Sequence, residues 1–168
     1  GELGCLSFNG NKIITTGGGG MILTDEANLA EKARYLTTQA KDDSVRYIHH
    51  EIGYNFRLTN IQAALGVGQL EQLTKFLGKK LEIHKKYQAE IENINGLTLA
   101  SKPDYAVNNY WMNVIQINSS VYGQDSEELM LKLEKDGIQS RPVWGLNHLN
   151  KPYLNSQTIS TKKADIPI

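Results

Sequence analysis

Apolar residues gather in two short runs near the start of the chain, over residues 5–8 and 20–24, with a polar, glycine-rich stretch between them. Runs this short, bounded by turn-forming residues, predict two buried strands joined by a loop. Leu29, Ala33 and Leu36 then share one helical face, and Asp25-Glu26 ahead of them supplies an N-cap and first-turn acid for a helix reaching about residue 40. Residues 41–52 are polar, carry His49 and His50, and read as a loop or lid. From Thr59 onward Ile61, Leu65, Leu70, Leu73, Leu77, Leu81, Tyr87, Ile91 and Ile94 recur at helical spacing. This is either one long helix that links two domains or packs at a subunit contact, or two helices in series. Gly66 and Gly68 can admit another backbone to its surface, Gly78 is a candidate kink or break, and Asn95-Gly96 ends it.

Beyond that point the pattern changes to short strands and turns. Residues 97–100 and 111–118 predict strands, Ser126-Glu-Glu-Leu starts a capped helix that Gly137 closes, and residues 138–143 predict a further strand ending at Pro142. The order suggests a small α/β domain. The expected division falls near Gly78, giving residues 1–78 and 79–168.

Bulk composition narrows the possibilities. A chain of 168 residues holds one full domain or parts of two. Its 18 basic residues balance 18 acidic ones, so it lacks the footprint of a nucleic-acid or anionic-membrane binder. The single cysteine, Cys5, cannot form an internal disulfide and fits a reducing compartment; within an apolar strand start a packed thiol is expected. No apolar run reaches the ~18 residues of a membrane span, and the expected location is cytoplasmic. The chain opens at Gly1 directly on a strand and stops within Ala164-Asp-Ile-Pro-Ile168, so it reads as a piece of a longer polypeptide.

The candidate chemistry centres on Lys12. A strand end and an Asn-Gly turn fix where its amine points, and four glycines follow from Gly17. A lysine held this way can condense with an aldehyde cofactor, and Ser7, five residues upstream, is the type of residue that binds a cofactor phosphate. The glycine run is not followed by Lys-Ser or Lys-Thr and leads into a strand, so it is neither a P-loop nor a dinucleotide fingerprint. As a turn that allows close backbone approach it competes evenly with an ordinary loop. His49-His50 are adjacent and therefore diverge, while His84 and His148 stand alone, so no metal site is expected. A serine hydrolase lacks its Gly-x-Ser-x-Gly elbow. Asn55 and Arg57, just before the long helix, could hydrogen-bond an anion or simply start that helix at a tight interface.

Several segments, taken in order, carry a resemblance. They are Ser7-Phe-Asn-Gly-Asn-Lys12 with Thr15-Thr-Gly-Gly-Gly-Gly-Met21, then Gly53-Tyr-Asn-Phe-Arg-Leu-Thr-Asn-Ile-Gln-Ala-Ala64 with Gln69-Leu70, Asn109-Tyr-Trp111, Arg141-Pro-Val-Trp144, His148 and Pro152-Tyr153. Together they resemble the DegT/StrS-type sugar-nucleotide aminotransferases, pyridoxal phosphate enzymes of fold type I, over nearly the whole chain. The resemblance implies an α/β fold of which this is the C-terminal part: a remnant of the large sheet domain, a long linking helix and a small α/β domain. It implies that Lys12 holds pyridoxal 5'-phosphate covalently and shuttles protons, that Ser7 binds the cofactor phosphate, and that Asn55 reaches that phosphate from the partner subunit of a homodimer. The substrates implied are an amino-acid donor, usually glutamate, and a nucleotide-linked keto-deoxysugar of surface polysaccharide or amino-sugar synthesis.

Arg57 stays a helix-start or interface residue, and Trp144 and His148 border the sugar-nucleotide cleft without an assigned contact. A branch of the family that places histidine at the position of Lys12 performs dehydration, so the lysine favours transamination. Gly18 stands where the family often has glutamate. The aspartate that pairs with the cofactor ring, and the aromatic that stacks on it, lie upstream of this stretch in the family. The piece alone is therefore expected to be inactive, and a non-catalytic assembly module is the rival reading.

Overall fold

A computed structural model of the chain describes residues 1–158; the stretch 164–168, read as an approach to another element, lies outside them. The chain divides into two compact units, Gly1–Lys80 and Leu81–Ile168. No helix among the described residues is long and apolar enough to cross a membrane.

In the first unit β1 (Gly4–Ser7) and β2 (Gly20–Leu23) pair antiparallel, with Gly4 opposite Leu23 and Ser7 opposite Gly20. The expected burial of these strands is not observed: Leu6, Met21, Ile22 and Leu23 each stay about half exposed, and Cys5 is exposed rather than packed. A two-stranded ribbon has two faces to cover, and one helix cannot cover both. An open apolar groove of about 900 Å³ remains, lined among others by Leu6, Ile22, Ala33, Phe56 and Leu58.

Helix α1 (Ala27–Thr37) starts without a side-chain cap, and its first turn contains no acid. The Thr24 hydroxyl accepts from the Glu26 amide at 3.1 Å in a turn just ahead of the helix, and the expected Asp25 cap is not formed. At the other end the Thr37 and Thr38 hydroxyls donate back to the Ala33 and Arg34 carbonyls at 2.8 and 2.7 Å. They close the helix before residue 40, the end expected from its pattern.

The long apolar repeat is two helices, α2 (Asn60–Leu70) and α3 (Leu73–Ile91). A capping box starts α2, with the Thr59 side chain taking the Gln62 amide and Gln62 reaching back. The break falls at residues 71–72 and not at Gly78, which lies within α3. Gln72 explains why. Its amide bonds to the Gln69 carbonyl at 3.1 Å, one residue tighter than α-helical, while its side-chain amide takes the Gly68 carbonyl at 3.3 Å. The side chain thus satisfies the acceptor that the shifted backbone has abandoned.

In the second unit β3 (Leu97–Leu99) pairs antiparallel with β4 (Ile115–Ile117), followed by α4 (Ser119–Tyr122) and α5 (Ser126–Lys135). Among the described residues of this unit, Ile91 at the end of α3 is the buried apolar side chain, at 6% exposure. Asp125 rather than Ser126 caps α5, in a reciprocal box with Glu128. The strand expected over residues 111–118 shrinks to three residues because Asn108 and Asn109 turn the backbone first, their side chains accepting from the Tyr110 and Trp111 amides at 2.9 and 3.0 Å. The strand expected over 138–143 is not formed. The Ile138 amide closes α5 by bonding to the Leu133 carbonyl at 2.8 Å, and the following residues run as coil.

Candidate active site

The loop between β1 and β2 is held mainly through its backbone. The Lys12 amide donates to the Asn9 carbonyl at 3.0 Å and closes the Asn-Gly turn. The Phe8 carbonyl accepts from both the Thr16 amide at 3.1 Å and the Thr15 hydroxyl at 3.0 Å, and the Phe8 amide donates to Gly19 at 3.0 Å. These bonds tie the two arms of the loop together. Thr16 is buried, and its hydroxyl donates to the Gly18 carbonyl. Helix α2 supplies the floor: the Gln69 side chain accepts from the Thr15 amide at 3.4 Å, and the Gln62 amide group donates to the Thr16 carbonyl at 3.5 Å. A Cβ at Gly66 would lie 3.0 Å from the Thr16 methyl, so this glycine admits the lysine loop; Gly68 faces open space.

Lys12 is thereby half-buried at the tip of an anchored turn. Ser7 lies exposed at the end of β1, its hydroxyl accepting a long 3.4 Å bond from the Asn9 amide. Amine and hydroxyl flank a single turn.

Residues 41–58 are built differently. The stretch read as a loop or lid is a closed loop, with the Asp42 and Ile48 backbones bonded at 3.0 Å. The Asp43 carboxylate accepts from the Val45 and Arg46 amides at 2.8 and 2.9 Å. The Asp42 carboxylate accepts from the His50 amide at 2.7 Å and from the Tyr35 hydroxyl at 3.1 Å. Both carboxyls are held below the usual range, Asp42 chiefly by the His50 backbone N–H and Asp43 chiefly by that of Arg46. Burial, with the Asp42 charge beside it, pushes the Tyr35 phenol up.

Asn55 follows on an extended segment laid against the end of α1. The Tyr54 amide bonds to the Leu36 carbonyl at 2.9 Å, the Phe56 amide to Thr37 at 3.0 Å, and the Gln39 amide to the Tyr54 carbonyl at 3.0 Å. Tyr54 and Phe56 stack on one side of it, 5.1 Å between centroids, while Asn55 alternates to the other. Asn55 and Arg57 are both exposed, and the Asn55 side-chain Oδ1 accepts from the Arg57 Nε–H at 3.4 Å.

In the second unit Trp144 is exposed and stacks on Trp111 at 6.2 Å, and His148 is half-buried in a 3-10 turn, Asn147–Leu149. His84 on α3 reaches the Asn113 side chain at 2.8 Å and lies against the Tyr110 ring at 4.2 Å.

Ser7 and Lys12 therefore share one turn, whereas Asn55 belongs to a separate segment. None of the three lines the apolar groove, although Arg57 does. The donor set suits a phosphate-bearing aldehyde: a primary amine on an anchored turn and, five residues before it, a hydroxyl whose proton no described residue accepts. Thr16, Gln62 and Gln69 complete the support of that turn. The Thr-Thr pair ahead of the glycines was the available sign, since a hydroxyl that bonds its own loop is what such a turn requires.

Over residues 1–167 the sequence matches the DegT/DnrJ/EryC1/StrS aminotransferase family, and the chain belongs to it. It is 39% identical over 145 residues to GDP-perosamine synthase of Escherichia coli O157:H7, covering 86% of this chain and 38% of that protein. It is 34% identical over 168 residues to GDP-perosamine synthase of Caulobacter vibrioides, covering 98% of this chain and 44% of that one. Among solved structures, the aminotransferase TlmJ from Streptoalloteichus hindustanus superposes with a TM-score of 0.80 at 25% identity, over 91% of this chain and 41% of its own. The chain thus spans about two-fifths of the length of these relatives. Its fold is the α/β fold of the sugar aminotransferases, of which it matches the C-terminal part.

Proposed function

We propose that this chain carries the lysine of a pyridoxal phosphate-dependent aminotransferase that moves an amino group from glutamate to the keto carbon of a nucleotide-linked deoxysugar. The observation that carries the reading is the anchored Lys12 turn: Thr15 and Thr16 fasten it to Phe8, and α2 fastens both threonines. A free surface lysine needs no such support. Pyridoxal phosphate, when bound, would supply an aldehyde carbon to carry the amino group and a ring to accept electrons. Lys12 Nζ would hold that aldehyde and, when free of it, would be the group that moves a proton at the reacting carbon. The Ser7 hydroxyl donates to the cofactor phosphate, and the Asn55 side-chain amide donates to the same phosphate from the partner subunit, so the working protein is a homodimer with composite sites. GDP-perosamine synthases among the relatives support a nucleotide-linked sugar as acceptor. In this reading the 168 residues alone are inactive.

An absorbance scan of the full-length protein with added pyridoxal phosphate, repeated with Lys12→Ala, tests the reading. The expected result is a cofactor band at the edge of the visible that shifts when glutamate is added and is lost in the variant. A band that survives Lys12→Ala unchanged overturns it. The open apolar ribbon supports a second reading, a non-catalytic assembly module; self-association together with no Lys12-dependent band would favour it.

A further inference from the structure

We propose that His49 is a positioning residue for Asn55, setting the register in which its side-chain amide is offered to the cofactor phosphate; this rests on the assignment of Asn55 given above. The segment bearing Asn55 is hung from the end of α1 by the backbone bonds of Tyr54 and Phe56, so it goes where residues 36–40 go. Those residues take an uncommon path. Gln39 and Ala40 are both left-handed, at φ 75° and 48°, a conformation that costs a residue with a side chain about 1 kcal/mol or more. Ala40 is fully buried, and Gly53 lies so close that a Cβ there would stand 2.4 Å from the Ala40 nitrogen.

Besides the bond from the Gln39 amide to the Tyr54 carbonyl, two contacts hold this path. The Ala40 amide bonds to the Tyr35 carbonyl at 2.8 Å. The second is His49, whose Nδ1–H faces two carbonyls, Gln39 at 2.8 Å and Ala40 at 3.1 Å. Since both partners are acceptors, Nδ1 carries the proton. One imidazole thus ties the only two consecutive left-handed residues among those described. His49 itself sits at the end of the closed loop, beside His50, whose amide is bound to Asp42. His49 is thus the side-chain donor that links the end of this loop to residues 39–40, on which the Asn55 segment hangs. Nothing in this arrangement needs the Nε2 atom.

The experiment compares binding of pyridoxal phosphate with binding of pyridoxal, which lacks the phosphate, in the full-length protein. Four variants are measured by cofactor absorbance: His49→Ala, His49→Asn, Asn55→Ala and the double variant His49→Ala/Asn55→Ala. Loss of one positioning hydrogen bond corresponds to about tenfold in affinity. His49→Ala is expected to weaken pyridoxal phosphate about tenfold and pyridoxal by less than about twofold. His49→Asn, which keeps a donor near the Nδ1 position, is expected to restore most of the loss, and the double variant to lose no more than Asn55→Ala alone. Should Asn55→Ala lower the preference for the phosphate while His49→Ala leaves it intact or weakens both ligands alike, the positioning role is overturned and the assignment of Asn55 stands. Should Asn55→Ala itself leave the preference unchanged, the assignment of Asn55 falls and the positioning role falls with it.

Discussion

The lysine loop and the loop that follows α1 are comparable in length and sit in the same unit, yet they are held by different forces. Residues 8–19 are fixed by backbone bonds between the loop's arms and by threonine hydroxyls, none of which titrates near neutrality. Residues 41–53 are closed by backbone bonds of Asp42 and Asp43 with Ile48, and are fixed in addition by the carboxylates of Asp42 and Asp43, by His49, and by one backbone contact at Gly53 too close for any side chain. The difference separates a rigid anchor for a lysine from a segment whose geometry depends on charge. It also says where each should fail.

The largest failure belongs to Gly53. Replacing it with alanine places a methyl 2.4 Å from the Ala40 nitrogen and 2.6 Å from the Gln39 carbonyl carbon, both backbone atoms that cannot rotate away. Overpacking of this kind costs about 3 kcal/mol. Thermal unfolding of Gly53→Ala should show that loss. A midpoint within a degree of the parent would mean that residues 39–40 yield easily, and the contrast between the two loops would be lost.

Acid should come next. Asp42 and Asp43 titrate below their ordinary carboxyl value in the folded chain, so they favour the folded loop above the unfolded pKa of about 3.9 and lose that contribution as pH falls through their folded values. The backbone amide signals of Val45, Arg46 and His50 should therefore move together below about pH 4. Those of Lys12 and Thr16, bound to backbone carbonyls, should not follow. Asp42→Asn should flatten the His50 response at once. A transition shared by both loops would show that they open as one body.

Thr16→Val is a smaller intervention on the other side of the comparison. It keeps the shape of the buried side chain and removes the hydroxyl that donates to Gly18. One lost hydrogen bond with its acceptor left behind costs about 1 kcal/mol. Amide exchange at residues 15–19 should quicken while exchange at 43–50 stays as before.

The same contrast explains what could be read from the chain beforehand. The two strands and α1 were legible from apolar spacing, and the start of α2 and the close of α5 from local caps. The break between α2 and α3 was not, because the sequence offered Gly78 as the obvious weak point, whereas a glutamine side chain at position 72 made a tighter turn acceptable. The strand expected over 138–143 failed for a related reason: β propensity is realised only beside a partner strand, and Ile138 was already committed to the end of α5. At the site, the turn bearing Lys12 could be read from Asn-Gly. The role of His49 could not, since a pair of adjacent histidines first raises the question of metal, and the carbonyls it binds belong to residues whose left-handed path no local pattern announces. The strands' exposure was equally hidden, because an apolar run specifies a face to be covered but not what covers it.

The smallest expected effect is at Gly18, between the two threonines and β2. Thr16 holds its carbonyl, yet a Cβ added there would meet nothing within 4 Å, so the loop's path does not require glycine at this position. Gly18→Glu should leave stability within about 0.5 kcal/mol of the parent, the gain from a less flexible unfolded chain offsetting what little a solvated carboxylate costs. The Lys12-dependent cofactor band should persist in that variant. If the band is lost while the fold is kept, the new carboxylate has intruded on the lysine's surroundings, and the loop is less firmly set by Thr15, Thr16 and α2 than its hydrogen bonds indicate. If both persist, the anchor accepts a side chain at this position, and its rigidity rests on Thr15, Thr16 and α2.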